Sequence, residues 1–415
     1  MQPSVRPLPL GPLLLCSAIV VTLSMGIRHG FGLWLQPVIM AHGWQREDFA
    51  LAMALQNLIW GASGPFVGWW ADRTGATRVL WTGAALYALG LLGMATSSDL
   101  LFFNLSTGVT IGLAQACTTY AVVYGVVGRH VSAERRSWAM GLVAAAGSFG
   151  QFLMVPVSSW LIQNLGWSQA LMGLAVSALL IAPAAFGLRE QRLPATPASP
   201  GSPPTTAPST GPVGAMAALR EAFQHRDYLL LTAGYFVCGF QVAFIAVHLP
   251  SYLKDNQLAP EVATTALALI GLFNIFGTYS VGLLGQRLRK NHILAAIYLL
   301  RAIVMVLFLM TPPTPLTVGV FAATMGALWL STVPPTNAVV AQMMGVRHLS
   351  MLGGTVFFSH QIGSFLGVWL AGRLYDATGS YNVVWWIAIA LGLVAFALNL
   401  PIREHQQPAR RLASA

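Results

Sequence analysis

Long apolar stretches alternate with short polar segments along the whole chain. A helix of about 20 apolar residues spans the hydrocarbon core of a bilayer, so each such stretch predicts one membrane helix. The first stretch is longer than the apolar core of a secretory signal, about 7–15 residues, so we expect it to stay in the protein. Twelve stretches qualify, at residues 13–36, 49–71, 79–97, 101–127, 137–164, 170–188, 228–252, 262–286, 292–311, 315–342, 350–374 and 381–401. The pattern predicts an all-α membrane protein with twelve transmembrane helices.

The longest polar connection separates the sixth and seventh predicted helices. Its middle, from Pro194 to Pro212, is rich in Pro, Ser, Thr, Ala and Gly, a composition typical of a flexible linker. We therefore divide the chain into a six-helix half at 1–188, a cytoplasmic linker at 189–227 and a second six-helix half at 228–415.

The two halves share glycines at a nearly constant offset of 214 or 213 residues. The matching pairs are Gly68 and Gly282, Gly112 and Gly326, Gly141 and Gly354, and Gly150 and Gly363. Repeated halves are common in secondary transporters, whose substrate site lies between them near the bilayer midplane. The repeat therefore predicts two pseudo-symmetric halves with a central site.

Basic residues concentrate on one side of the predicted membrane. With the N-terminus inside, 17 of the 22 Lys and Arg lie in inner segments, and three, Arg46, Lys254 and Arg373, lie outside. This bias follows the positive-inside rule, so we expect a multi-pass protein of the bacterial inner membrane with both termini cytoplasmic. The net charge of +10 therefore indicates orientation rather than a nucleic-acid partner.

The composition also restricts the chemistry. Only 8% of the residues are charged and 56% are hydrophobic, whereas soluble domains carry about 25% charged residues. The three cysteines, Cys16, Cys117 and Cys238, lie in apolar stretches without the spacing of a metal site or a disulfide framework. We expect a non-enzymatic protein with no cofactor and no metal.

A short segment follows the second predicted helix and reads Gly68-Trp69-Trp70-Ala71-Asp72-Arg73-Thr74-Gly75-Ala76-Thr77-Arg78. It resembles the signature loop of the major facilitator superfamily, and the resemblance extends over the whole chain. It implies two six-helix halves that alternate access to a central cavity lined by helices 1, 4, 7 and 10. It also implies gating on the cytoplasmic side by residues of the loop and a nearby arginine, here Asp72, Arg73, Arg78 and Arg129.

Ionisable side chains inside the predicted spans are costly to bury in lipid, so each needs an explanation. None of the twelve Asp and Glu lies in the middle of a span, whereas Arg28 and Arg301 lie inside helices 1 and 9. An arginine without a carboxylate favours an anion, which it holds through two parallel hydrogen bonds. The alternatives are structural: Arg28 bonds carbonyls, Gln56 and Asn57, and Arg301 braces a neighbouring helix or extends to the interface.

Several polar and aromatic residues of the same spans are candidates for substrate contact, with packing between helices as the alternative. Tyr120 and Tyr124 share one face of helix 4, and Pro334-Pro335 interrupts helix 10. Histidine titrates near neutral pH, so His29, His248 and His360 are candidates for proton coupling. The candidate substrate-binding residues are Arg28, His29, Tyr120, Tyr124, Gln241, Asn274 and Trp329.

Three further segments refine the resemblance, residues 25–32, 357–363 and 372–379. They are similar to bacterial relatives of the monocarboxylate and oxalate–formate carriers. Those carriers often place an Arg in helix 8, whereas residues 271–279 of this chain carry no charge. We infer that Arg28 replaces this cation from the opposite half.

Taken together, these features predict a monomeric secondary transporter for a small organic anion of the monocarboxylate type, with proton symport as a hypothesis. Its expected partners are the substrate and the lipid bilayer. One alternative is an uptake or efflux carrier for a neutral or amphipathic compound, since 20 Phe and 13 Trp could line such a pocket. A second alternative is a non-transporting membrane receptor.

Overall fold

The protein is described by a computed structural model covering residues 8–190, 219–344 and 349–403. Within these ranges it is helical and contains no strands, which confirms the predicted all-α fold. Most of the linker, including the segment from Pro194 to Pro212, lies outside the described residues. The twelve long helical segments of the described ranges are α1 (Leu10–His42), α2 (Arg46–Thr74), α3 (Ala76–Thr96), α4 (Leu100–His130), α5 (Ala133–Leu165), α6 (Trp167–Leu188), α7 (Arg226–Asp255), α8 (Pro260–Leu284), α9 (Lys290–Met310), α10 (Pro315–Met344), α11 (Leu349–Thr378) and α12 (Asn382–Asn399).

These segments match the twelve predicted spans and extend beyond most of them. The apolar pattern stops where polar residues begin, whereas a helix continues to its capping residues. Helix α2, for example, begins at Arg46 and ends at Thr74, beyond the predicted span 49–71 at both ends. The turn from α2 to α3 consists of Gly75 alone, with φ of 91°, a backbone conformation that favours glycine.

Ten of the twelve segments are long and apolar enough to cross a membrane by length and composition alone, and α2 and α11 are the two exceptions within the described ranges. Both carry buried polar residues in their middle parts, among them Gln56 and Asn57 in α2 and Gln361 and Ser364 in α11. The two helices pack against each other, and the Gln361 Nε2 donates to the Asn57 carbonyl oxygen at 3.0 Å. Polar residues are tolerated here because neighbouring helices, rather than lipid, satisfy them.

Two helices are interrupted at corresponding positions of the halves. Helix α4 breaks at Thr119, whose backbone is extended, and α10 breaks at residues 329–332. The α10 break precedes Pro334 and Pro335, which lack the N–H groups that would continue the hydrogen-bond ladder. The predicted interruption of α10 is confirmed.

The glycines of the internal repeat have matching environments in the two halves. A Cβ added at Gly112 would lie 2.9 Å from the Gln56 carbonyl oxygen, and one at Gly326 would lie 2.8 Å from the Ile270 Cα. These positions therefore allow close packing of α4 on α2 and of α10 on α8. Likewise, Gly150 of α5 faces the backbone of α1, and Gly363 of α11 faces the backbone of α7.

The remaining glycine pairs have no such contacts. A Cβ added at Gly68, Gly141, Gly282 or Gly354 would have no heavy atom within 4 Å. All four lie near those ends of α2, α5, α8 and α11 that are on the same side of the membrane as Leu10 and Arg403. We call this the terminal side, and the other the opposite side.

Contacts between the two six-helix halves explain this difference. Helices α5 and α8 are in contact from their opposite-side ends to the middle of the membrane. Near the opposite side, Ser159 accepts from Thr264 at 2.8 Å. At mid-depth, Asn274 donates to Ser148 at 3.0 Å. Helices α2 and α11 are joined over the same depth and separate beyond Gly61, whose added Cβ would lie 2.7 Å from Gln361. The halves therefore enclose a cleft that is open to the terminal side.

Candidate functional site

A small pocket lies at the inner end of this cleft, where both halves meet. It brings together Arg28, the central cation of α1, with Gln56 and Asn57 of α2 and a short apolar stretch of α7. The lining residues are Arg28, Phe31, Gly32, Met53, Gln56, Asn57, Ala243, Ala246 and Val247. The pocket has a volume of about 20 Å³, room for about one water molecule, and combines one cation and two amides with apolar walls.

The Arg28 guanidinium is incompletely satisfied in this pocket. Its Nη2 donates to the Asn57 Oδ1 at 2.5 Å, and its carbon lies 4.9 Å from the centre of the Trp60 ring. The Nε is buried and has no hydrogen-bond partner among the described residues. Within the same residues no carboxylate forms a salt bridge with Arg28. Arg28 thus combines the amide contact considered from the sequence with a buried donor that has no partner in the described residues.

Aromatic side chains continue from Arg28 into the cleft. The Trp60 ring meets Phe357 at 5.3 Å, Phe357 stacks on His360 at 5.9 Å, and His360 meets Tyr235 at 4.9 Å, measured between ring centres. We call Trp60, Phe357, His360 and Tyr235 the aromatic row. It crosses from α2 through α11 to α7, so both halves contribute to it. Of its members, only His360 is among the candidate site residues predicted from the sequence.

Tyr120 and Tyr124, predicted on one face of α4, do lie side by side, with ring centres 5.3 Å apart. They are half-buried and lie beside the break at Thr119, where the Trp60 Nε1 donates to the Thr119 hydroxyl at 3.2 Å. Neither tyrosine lines the Arg28 pocket. Both pack against an apolar cluster of the first half, and substrate contact stays a prediction.

Three other predicted site residues lie at the junction of the halves. His29 is buried and its Nε2 lies 3.1 Å from the Leu267 carbonyl oxygen of α8, while its ring meets the edge of Trp329 at 6.1 Å. The Asn274 Oδ1 accepts from the Leu330 N–H at 3.0 Å, and its Nδ2 donates to Ser148. These contacts tie the α10 break to α1 and α5.

Gln241 and Arg301 together support the broken helix α10. The Arg301 Nη2 donates to the Leu328 carbonyl at 2.6 Å and also to the Trp329 carbonyl. Its Nη1 donates to the Gln241 Oε1 at 3.4 Å, and Gln241 in turn donates to the Ala388 carbonyl at 2.9 Å. Both side chains are fully buried and point away from the Arg28 pocket. Of the roles considered for Arg301, the geometry matches bracing of a neighbouring helix.

A cluster of ionic contacts closes the opposite side of the protein. Arg46, the first residue of α2, binds Asp255 of α7 through two parallel hydrogen bonds of 2.7 Å. Its Nη1 also donates to the Tyr381 hydroxyl at 2.9 Å, and its guanidinium carbon lies 3.5 Å from the centre of the Tyr375 ring. A bidentate arginine–carboxylate pair of this kind is strong and geometrically specific.

Asp376 makes a second contact between the same elements. Its carboxylate accepts from the backbone N–H groups of Arg46 at 3.2 Å and Glu47 at 2.6 Å. These N–H groups form the start of α2, where the helix dipole favours a negative charge. We call Arg46, Glu47, Asp255, Asp376 and Tyr381 the outer latch, because it joins the first half to the second.

His248 belongs to the surroundings of the outer latch and not to the pocket. Its Nε2 lies 2.9 Å from the Val368 carbonyl, which assigns the proton to this nitrogen and leaves Nδ1 to accept from the Tyr381 hydroxyl at 3.0 Å. Burial raises the pKa of the Tyr381 phenol, so its hydroxyl remains a donor. Both ring nitrogens of His248 are therefore occupied.

His360 differs from the other two candidate histidines. Its Nδ1 lies 3.0 Å from the Gln361 Oε1, so Nδ1 carries the proton. Its Nε2 is buried and has no hydrogen-bond partner within the described ranges. Because Gln361 donates to the Asn57 carbonyl and Asn57 accepts from Arg28, hydrogen-bonded residues link His360 to Arg28 across the interface.

The predicted gating residues lie on the terminal side, within the first half. Arg129 binds Asp72 at 3.1 Å and Glu190 at 2.8 Å, whereas Arg73 lies 4.2 Å above the Trp69 ring. Arg78 is exposed. The ion pairs of Arg129 with Asp72 and Glu190 lie within the first half. Their role in the alternative conformation stays a prediction.

The sequence reasoning missed the outer latch, Trp60 and Glu190. One signal was available for the latch: opposite charges occur in outer segments of both halves, at Arg46 and at Asp255 and Asp376. Their pairing follows only from the three-dimensional proximity of α2 to the ends of α7 and α11.

Comparison with known proteins gives one family. The model of the Major Facilitator Superfamily matches residues 14–367 and 233–415. The chain is 22% identical to the uncharacterised MFS-type transporter YcxA of Bacillus subtilis (strain 168), over 92% of both chains. It is 25% identical to monocarboxylate transporter 13 of Rattus norvegicus, over 88% of this chain and 82% of the relative. It is also 25% identical to human monocarboxylate transporter 11, over 92% of this chain and 82% of the relative.

A solved structure shares the fold. It is a bacterial homologue of the human lysosomal transporter Spinster, determined in an inward-facing and unoccupied conformation, with a TM-score of 0.71 and 15% identity. The match covers 95% of this chain and 94% of that one. Two six-helix halves around a central cleft are thus a known arrangement.

The outer latch generates a first prediction. Asp255→Asn leaves the buried Arg46 without its carboxylate, which we expect to cost the present conformation about 2 kcal/mol, or roughly a thirtyfold shift in the conformational equilibrium. Spin labels at Gly68→Cys and Gly354→Cys, in a chain lacking the three native cysteines, report the width of the cleft. We expect shorter distances in the variant.

Lys254→Gln is the matched control, because this neighbouring cation is exposed and donates to the Met40 sulfur, which is not part of the outer latch. An unchanged distance distribution in Asp255→Asn would remove the outer latch from the set of contacts that determine the conformation.

The Arg301 contacts generate a second prediction. Arg301→Gln removes the donors to the Leu328 and Trp329 carbonyls, and buried unsatisfied groups cost about 1–3 kcal/mol each. We expect the thermal unfolding temperature of the purified protein to fall by several degrees. The equivalent change at Arg28 serves as the comparison, and an equal or smaller effect of Arg301→Gln would contradict a bracing role.

Proposed function

The chain belongs to the major facilitator superfamily of membrane transporters, and on that premise we propose that it carries a small organic anion of the monocarboxylate type. The observation that carries this proposal is Arg28, a cation at the inner end of the cleft without a carboxylate partner in the described residues and with a free Nε. A carboxylate binds a guanidinium through Nε and a terminal nitrogen in parallel. The names of the monocarboxylate relatives support the same class.

The proposed mechanism is alternating access between the two halves at 1–188 and 228–415. The present conformation is open on the terminal side and closed by the outer latch. The opposite state forms when the latch breaks and the uncovered surfaces around Gly68, Gly141, Gly282 and Gly354 come together. The Asp72–Arg129–Glu190 network holds the α2–α3 turn in place for that approach.

We place the terminal side in the cytoplasm. The basic residues on this side support the placement, because the positive-inside rule relates them to the inner surface. The protein then lies in the inner membrane of a bacterial cell as a monomer, and the present conformation is inward-open.

Proton coupling through His360 completes the proposal. Its Nε2 is a buried acceptor without a hydrogen-bond partner in the described part of the chain, whereas both nitrogens of His248 are occupied and His29 bonds a backbone carbonyl. A proton on His360 adds a positive charge to a region linked to Arg28 through Gln361 and Asn57. That charge favours occupation of the site by an anion.

Uptake into proteoliposomes tests the anion site. Labelled pyruvate or lactate, with the outside acidic, should accumulate with the wild-type protein and at least about tenfold less with Arg28→Gln, since a charge-assisted bidentate contact is lost. Arg220→Gln removes an exposed arginine outside the membrane helices and should retain uptake. Failure of the well-folded wild type to take up any carboxylate would favour a carrier for neutral compounds.

A separate measurement tests His360. His360→Gln should abolish the stimulation of uptake by a proton gradient while preserving exchange of internal for external anion, because exchange needs no net proton movement. His292→Gln, at an exposed position of α9, is the control. Proton flux that accompanies the anion at wild-type stoichiometry in His360→Gln would assign coupling to another group.

A further inference from the structure

We infer that the preferred anion is an aromatic monocarboxylate, with its carboxylate on Arg28 and its ring against Trp60 and Phe357 of the aromatic row. This inference rests on the proposed function, because it takes Arg28 as the anion site. It goes beyond that function in assigning the part of the substrate that is not the carboxylate.

The first support is the position of Trp60 relative to Arg28. The guanidinium carbon lies 4.9 Å from the centre of the ring, so a molecule bound to the guanidinium lies beside the indole. The indole is fixed, because its Nε1 donates to the Thr119 hydroxyl at 3.2 Å and Phe357 packs edge-on against it at 5.3 Å with an interplanar angle of 72°. A fixed ring presents a preformed surface to a ligand.

The second support is accessibility. Trp60 and Phe357 are half-buried. They lie where α2 and α11 separate, next to the contact of Gly61 with Gln361. The rest of the row is more deeply buried, with Tyr235 at 7% and His360 at 8% exposure. The two accessible rings, Trp60 and Phe357, are therefore the ones nearest Arg28, and the buried rings of His360 and Tyr235 pack behind Phe357.

The third support is the chemistry of the pair. A short aliphatic anion such as acetate would contact the guanidinium and leave Trp60 and Phe357 without a ligand contact. Aromatic rings prefer edge-to-face or offset contacts with centres 4.5–7 Å apart, the spacing within this row. Cations are disfavoured beside an uncompensated arginine. An aryl group joined to one carboxylate matches both the aromatic rings and the positive charge of Arg28.

Binding to the purified full-length protein tests the inference, using calorimetry so that passive permeation of weak acids does not interfere. Benzoate and cyclohexanecarboxylate are matched, since both place one carboxylate on a six-membered ring and only benzoate is aromatic. We expect benzoate to bind about tenfold more tightly than cyclohexanecarboxylate, the size of effect that aromatic pairing gives beyond burial, and more tightly than lactate. Arg28→Gln should abolish binding of all three.

Trp60→Leu keeps an apolar side chain and should reduce the ratio of benzoate to cyclohexanecarboxylate affinity towards one. Phe357→Leu provides a second variant if the first does not fold, as judged by its unfolding temperature. Trp386→Leu is the control, because this tryptophan of α12 is 55% exposed and should leave the ratio unchanged.

The outcomes separate the inference from the proposed function. Equal, Arg28-dependent affinities for benzoate and cyclohexanecarboxylate, or a preference for lactate, would overturn the inference and leave an anion carrier in place. The same holds for a benzoate preference that survives both Trp60→Leu and Phe357→Leu. A folded wild type that binds none of the three anions would overturn both.

Discussion

The ion pair between Arg46 and Asp255 joins two helices that belong to different halves of the protein. With Asp376 on the first N–H groups of α2, it holds the opposite-side ends of α2, α7 and α11 together, and Tyr381 extends the contact to His248. Such contacts are strong because they are partly removed from water, where each charge has few other partners. The shape of the cleft follows from them, since helices joined at one end and mid-depth separate at the other.

Buried polar groups follow the same logic deeper in the membrane. Several polar side chains at the interface have a partner on another helix, as Asn274 has in Ser148 and Leu330, and as Gln361 has in Asn57. In a bilayer these groups have no water to bind, so an unpartnered one is costly. The Nε of Arg28 and the Nε2 of His360 are among the buried polar atoms without a partner in the described residues.

The sequence was sufficient for the helices, the repeat and the central cation, because these depend on local apolar length and on matching positions. It also offered Asn57 as a partner of Arg28, and the two side chains are hydrogen-bonded. It could not place Arg46 beside Asp255, or Trp60 beside Phe357, because these contacts join residues far apart in the chain. Gln241 shows a further limit. Its helix, α7, does line the pocket, but the direction of the Gln241 side chain depends on packing against α9 and α12.

The breaks of α4 and α10 occupy corresponding positions but are held differently. In α10 a guanidinium binds the carbonyls of Leu328 and Trp329 and is itself held by Gln241, whereas in α4 the break at Thr119 is held by a neutral hydrogen bond from Trp60. A charged clamp resists bending more than a neutral one. The two halves are therefore mechanically unequal, with a stiff second half and a first half whose fourth helix can flex, and each crossing of the membrane should deform the first half more than the second.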